Sequence, residues 1–164
     1  MPSSDAPFGF EYAEGPFQVE NMVLAAANAL IGKGDAVTVA STGLIDRSAA
    51  GDLQIYGVAD QSSAASSGAT IPVIKALPST KFFVRGVAAT AVARTDIGNI
   101  ADIVATAAIG GISQMTLGTL GTGAANFKIE GVHLIGDDLI GDAGLVFKGF
   151  FYESFHQGAG QAGV

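Results

Sequence analysis

The sequence predicts a mainly β protein: a small β-barrel or sandwich with an extended N-terminal arm and a second β-rich lobe. Three observations carry that prediction. Short runs of aliphatic and β-branched residues recur from Leu30 to Ile74, each closed by glycine or a small polar cluster. Two further runs of this kind, Phe127 to Ile135 and Leu145 to Phe155, close the chain. Glycine accounts for 23 of 164 residues, as expected where turns, bulges and close strand contacts are frequent.

The arm is residues 1–16. Met1 to Pro16 holds three of the five prolines and shows neither helical nor strand periodicity, so it reads as extended. Disordered termini are poor in aromatics. Phe8, Phe10, Tyr12 and Phe17 are therefore the candidate interaction residues, docking the arm onto its own body or onto a neighbouring subunit, the alternative being a floppy end.

Residues 17–95 are expected to form the barrel or sandwich. Phe17 to Ile31 has good helix formers and a stop at Gly32, so it reads either as a short helix or as a strand entering the turn Lys33 to Asp35. Ala36 to Ala40 alternates Val37 and Val39 against Thr38, and Ser41 to Gly43 turns the chain into Leu44 and Ile45, which predicts a hairpin. Asp46 to Asp52 is a loop and Leu53 to Ala59 a strand, with Gly57 marking a bulge or a tight contact. After the loop Asp60 to Gly68, Ile71 to Ala76 and Lys81 to Val87 are strands separated by Leu77-Pro78-Ser79.

Residues 96–157 form the expected second lobe and residues 158–164 a flexible tail. Gly86 to Arg94 and Ala101 to Ile109 are alanine-rich and fit strand or helix, whereas Gly110 to Ala125 is a glycine- and threonine-rich stretch in which Gly118 to Gly123 reads as a flexible or interface loop. In the last strand Phe147, Phe151 and Phe155 fall on one face and Phe150 and Tyr152 on the other. Both faces need cover, from a second layer or from a neighbouring subunit.

Composition narrows the functional classes. Only 14% of residues are charged, against about 25% in ordinary soluble domains. Much of the surface is then apolar, small or hydroxylic, as in a subunit that a partner covers. A net charge of −7 without a Lys/Arg cluster argues against nucleic acid as a partner. The absence of cysteine removes disulfides, thiolate catalysis and Cys-based zinc sites. Apolar stretches such as Ile103 to Ile112 fall well short of the ~18 residues of a membrane-spanning helix. The N-terminus has neither a basic nor an apolar leader region, so no membrane partner is expected.

No residues are assigned to catalysis, cofactor binding or metal binding. The run GTLGTG from Gly118 to Gly123 lacks the Lys-Ser/Thr pair and the following helix of a phosphate loop. His133 with Asp137 and Asp138 is a sparse metal set, better read as a strand residue beside a solvated turn, and His156 has no evident partner. No serine sits in a G-x-S-x-G elbow. Turn chemistry accounts for Asp46, Asp52, Asp60, Asp96 and Asp102. A non-enzymatic chain is expected.

The order of features resembles one family. KGDAV at Lys33 to Val37, TGLI at Thr42 to Ile45, IYGVAD at Ile55 to Asp60, a small-residue loop and IPVI at Ile71 to Ile74 resemble the head decoration, or capsid cement, proteins of tailed bacteriophages. DIGNIADIV from Asp96 to Val104 and the closing VFKGFFYESF run look similar to the second half of such proteins. The resemblance implies a β-rich virion protein on the outer capsid surface, made in the host cytoplasm. Its implied partner is the major capsid protein, which it bridges as a homo-oligomer, a trimer being favoured, and which it stabilises against packaged DNA. The alternatives are another virion β protein, of tail tube or baseplate, and a small β-barrel hydrolase or carbohydrate-binding module.

Overall fold

The computed structural model describes residues 9–25, 30–52, 54–63, 68–86, 93–120, 127–134 and 139–152. The expectations for Phe8, Asp137, Asp138, Phe155, His156 and the tail 158–164 lie outside these residues.

The protein is mainly β, built from two antiparallel sheets that do not close into a barrel. Of the two expected architectures, the sandwich is the one consistent with this arrangement. The smaller sheet holds β2 (Val19–Val23), β3 (Ala36–Val39), β4 (Ile45–Arg47), β5 (Ile55–Ala59) and β6 (Thr70–Lys75) in the order β2-β6-β5-β3-β4. The larger comprises β1 (Glu11–Glu14), β7 (Lys81–Arg85), β8 (Ile100–Val104), β9 (Thr116–Leu120), β10 (Phe127–His133) and β11 (Val146–Phe151). Its order is β1-β7-β11-β10-β8-β9, so it takes β1 and β7 from before residue 96 and the other four strands from after it.

Hydrophobic alternation places the core between the sheets. Ile55, Val58 and Ile74 of the smaller sheet share one buried cluster with Phe82, Val84, Ile103, Leu117, Phe127, Ile129 and Phe147 of the larger. Phe151 touches Phe10, Phe82 and Phe127 with ring centroids 5.0, 5.3 and 5.4 Å away. Burying each such ring contributes roughly 1.5–3 kcal/mol. A second cluster, with Leu24, Ile31, Val37, Ile45, Tyr56, Ile71 and Val73, completes the packing of the smaller sheet.

All five residues of β5 are buried, and its division between the clusters follows from a bulge. Against β3, Val37 faces Gly57 and Thr38 faces Ile55, leaving Tyr56 as the extra residue. The bulge breaks the two-residue alternation, so Ile55 and Val58 join the shared core while Tyr56 and Ala59 join the other. Gly57 is required by close approach: a Cβ there would lie 2.2 Å from the Ile74 carbonyl oxygen. The sequence expected a bulge or a tight contact, and both are present.

Several other expectations resolve. Phe17 to Ile31 contributes the strand β2. The predicted hairpin is β3–β4, turned through Ser41 to Gly43, with the Gly43 N–H bonded to the Ala40 carbonyl. Within Ala101 to Ile109, Ala101 to Val104 belongs to strand β8. Of the Gly86 to Arg94 stretch, Gly86 bridges Leu117 and Arg94 opens a 3-10 turn to Asp96, while residues 87–92 lie outside the described residues. The loop expected over Gly118 to Gly123 is corrected at its start: Gly118 to Leu120 belongs to the edge strand β9 (Thr116–Leu120). Met115 and Leu117 alternate into the core and β-branched Thr116 suits a pleated strand, which together override Gly118 as a turn signal.

In β11, Phe147 and Phe151 are buried whereas Lys148 and Phe150 on the opposite face are half-buried. The layer of the smaller sheet supplies cover for the first face.

Candidate interaction surface

The arm enters the fold through Phe10 and β1. Phe10 is buried in the shared core, with ring centroids 5.5 Å from Phe127 and 5.0 Å from Phe151, and its N–H donates to the Gly34 carbonyl at 2.8 Å. Of the four candidate interaction residues it thus docks on the chain's own body, and little of its ring remains for another molecule. Tyr12 sits in β1 opposite Phe82 of β7, half-buried, with its hydroxyl donating to the Gly15 carbonyl at 2.6 Å. Phe17 packs edge-on against Tyr12 at 4.9 Å yet stays 56% exposed.

Phe10, Tyr12 and Phe17 line one wall of a cleft of about 460 Å³, whose other residues include Lys33, Val58, Asp60 and Ile112. Lys33 and Asp60 pair loosely at its rim, 3.8 Å apart and largely exposed. Beyond them Ile109 and Ile112 exchange backbone hydrogen bonds at 3.0 Å and remain 68% and 53% exposed. Phe17 and Ile112 are thus exposed apolar members of a cleft lining that also carries Glu11, Lys33 and Asp60, and Ile109 sits beside Ile112. Grouped exposed apolar residues of this kind mark contact surfaces more often than isolated ones do.

Next in sequence to Lys33 and Gly34 of this cleft, Asp35 centres a buried charged network that the sequence did not single out. Asp35, fully buried, accepts a hydrogen bond from the Gly32 N–H at 2.8 Å and one from the Arg47 Nε–H at 2.8 Å. Its other oxygen accepts from the Ser113 hydroxyl at 2.5 Å, and the Ser113 oxygen in turn accepts the Met115 N–H at 3.1 Å. Arg47 also donates to the Ala105 carbonyl at 3.2 Å and to the Thr106 carbonyl. The Lys33–Asp35 turn is fastened to the segment after β8, and Lys33 and Ser113 are locked by further backbone bonds: Lys33 N–H to the Gly111 carbonyl at 2.8 Å, Ser113 N–H to the Lys33 carbonyl at 2.9 Å. Separations of 12 and 78 residues explain why sequence inspection saw only a KGD turn there.

Several of the residues weighed for chemistry that fall among the described residues have structural contacts. His133 stacks on Phe83 with ring centroids 4.6 Å apart. Among the described residues no three His, Cys, Asp or Glu side chains are grouped to hold a metal ion. Asp52 and Asp96 accept from the N–H of Ala49 and Ala93 at 2.7 and 2.6 Å, as turn carboxylates do. Asp46 and Asp102, expected in turns, are instead residues of β4 and β8, and Asp102 accepts from the Gly51 N–H at 3.2 Å, tying the loop after β4 to β8. Gly118 to Leu120 of the GTLGTG run lies in β9. No helix among the described residues is long and apolar enough to cross a membrane.

Two polar clusters brace the sheets. Lys75 and Tyr56 both reach the Glu20 carboxylate, at 2.6 Å each, linking β6, β5 and β2. Burial, and then the bond to Glu20, push the Tyr56 phenol up to about 12. On the larger sheet Lys81 bridges Glu14 and Glu130 at 2.9 and 2.8 Å. Lys81, then Lys148, hold the Glu14 carboxyl below the usual carboxylate range.

Comparisons with models of protein families, with curated proteins and with solved structures give no match to this chain.

Proposed function

We propose that this chain is a non-enzymatic virion protein that decorates and stabilises a phage head, binding the outside of the assembled shell and bridging major capsid proteins. The supporting observation is the exposed apolar pair Phe17 and Ile112 in the arm cleft, with exposed Ile109 bonded to Ile112 beside it, in a chain with only 14% charged residues. Such a surface gains by being covered, and a rigid two-sheet body holds it in one shape. The spacing of glycine and β-branched residues seen in the sequence points the same way. A protein that binds the assembled lattice and not its free subunits stabilises the lattice by linkage, and multiple weak attachments suffice when the subunits are themselves oligomeric, as in a trimer.

The test is to mix purified protein with undecorated capsids and follow co-sedimentation and thermal release of DNA. Binding with a higher release temperature is the expected result. Absence of both removes the reading, and labelling confined to tails in electron micrographs assigns the protein to the tail instead.

A further inference from the structure

The free edge of β2 differs from those of β1 and β9. The Leu24 N–H donates to the Ala69 carbonyl at 2.8 Å, and the Lys75 N–H donates to the Gln18 carbonyl at 2.9 Å. Even-numbered residues of this strand therefore direct their backbone groups toward β6. Since antiparallel neighbours alternate, the N–H and C=O of Val19, Asn21 and Val23 point the other way. The Ala25 N–H, next in that outward series, meets the Ile45 carbonyl at 2.9 Å, which covers the end of the edge. For Val19, Asn21 and Val23 no backbone partner exists among the described residues, and all three side chains are exposed.

Exposed edges are ordinarily blunted by charge, proline or a bulge. The edge strand β1 has two of these devices, exposed Glu11 and Glu14 and a register shift after Tyr12. Edge strand β9 is approached by Gly86 through a bridge to Leu117. By contrast β2 runs in unbroken register from Val19 opposite Ile74 to Val23 opposite Thr70, and its outward positions are valine, asparagine and valine. Its one charge, Glu20, is engaged by Lys75 and Tyr56.

The sequence of this edge is also complementary to itself. In V-E-N-M-V, antiparallel pairing centred on Asn21 sets Val19 of one copy against Val23 of the other, Asn21 against Asn21, and Glu20 against Met22. Valine meets valine at both ends, and neither carboxylate faces its counterpart. The outward backbone groups of Val19, Asn21 and Val23 all fall in hydrogen-bonded pairs in this register.

We propose that β2 is a homotypic contact: two copies pair through it across a two-fold axis at Asn21, merging their five-stranded sheets into one. The contact is isologous, so it closes at two copies. It is independent of the decoration reading, and a threefold contact elsewhere on the molecule leaves it unaffected.

The experiment is sedimentation mass of the full chain and of the double variant Val19→Lys/Val23→Lys. Both side chains are already exposed, so circular dichroism and melting temperature should stay within the range of surface substitutions. The expected result is a twofold drop in mass for the variant, whether from dimer to monomer or from hexamer to trimer. A second measurement reads the register. Because the chain has no cysteine, Asn21→Cys carries the sole thiol, and a hydrogen-bonded antiparallel pair sets the two Cα atoms about 5.5 Å apart, within disulfide reach. Mild oxidation should convert Asn21→Cys to a covalent dimer and leave Glu11→Cys, on the edge of β1, monomeric. Equal masses for wild type and lysine variant, or equal crosslinking at both positions, overturn the proposal. So does a monomeric wild type whose β2 edge takes up only a foreign strand.

Discussion

Arg47 holds Asp35 by an Nε–H to carboxylate bond of 2.8 Å, with the acid fully buried and the guanidinium side chain only 12% exposed. Together they connect the turn before β3, the strand β4 and the chain after β8. Removing one member of such a pair leaves the other charge buried without compensation, which costs about 3–5 kcal/mol. Arg47→Ala should lower unfolding free energy by that amount in denaturant melts. Arg47→Lys should not restore it, since a single ammonium cannot serve Asp35 and the carbonyls of Ala105 and Thr106 together. A variant of wild-type stability would show that the network is dispensable.

The aromatic residues of the arm divide into two roles. Phe10→Ala opens a cavity among Phe127 and Phe151 and should cost about 3–5 kcal/mol. Phe17→Ala, at a side chain that is mostly exposed, should change stability by less than about 0.5 kcal/mol. If the cleft border is the capsid contact, Phe17→Ala weakens attachment by about tenfold, or ~1.4 kcal/mol, at unchanged stability. Deleting residues 1–16 cannot make this distinction, because it also removes β1 and Phe10. Unchanged capsid affinity in Phe17→Ala would exclude the ring from the contact.

Alkaline unfolding should be governed in part by Tyr56. Its phenol is raised from 10.0 to about 12 in the folded protein, so the neutral form is preferred there. The resulting stability is complete below the unfolded value and is lost as pH rises through the folded one. Melts taken at stepped pH should fall most steeply between about 10 and 12. Tyr56→Phe should cost about 1 kcal/mol at neutral pH through the lost hydrogen bond and should flatten that fall. An identical alkaline profile in the two proteins would contradict the assignment.

On the acid side Glu14 carries the opposite sign. Hydrogen bonds from Lys81 and Lys148 favour its carboxylate in the folded state, so its contribution is present above the ordinary carboxylate pKa and disappears as pH falls through the lowered one. Because the group is exposed, salt should weaken the effect. Glu14→Gln should reduce the acid sensitivity of the melting temperature at low ionic strength, with the difference fading in molar salt. A difference that persists in molar salt would point to a packing origin.

The class of fold and much of the strand list were legible in the residues alone. Alternation in Ala36 to Ala40, the turn at Ser41 to Gly43 and the aromatic run ending the chain are local signals, and local signals fix local conformation. The interior glycine of β5 was equally legible, because only a bulge or a tight contact places glycine in such a run. Three matters were decided by tertiary structure alone. Thr116–Leu120 became a strand because the core takes up Met115 and Leu117, against the turn propensity of Gly118. Phe10 and Phe17 look alike in sequence, yet one fills the core and the other borders a cleft, since burial depends on where the chain is carried. Asp35, Arg47 and Ser113 carry no shared motif, and they meet only because the sheets bring residues 12 and 78 positions apart into hydrogen-bond range. A buried charge is stable only where its partners converge, and that convergence is a property of the fold.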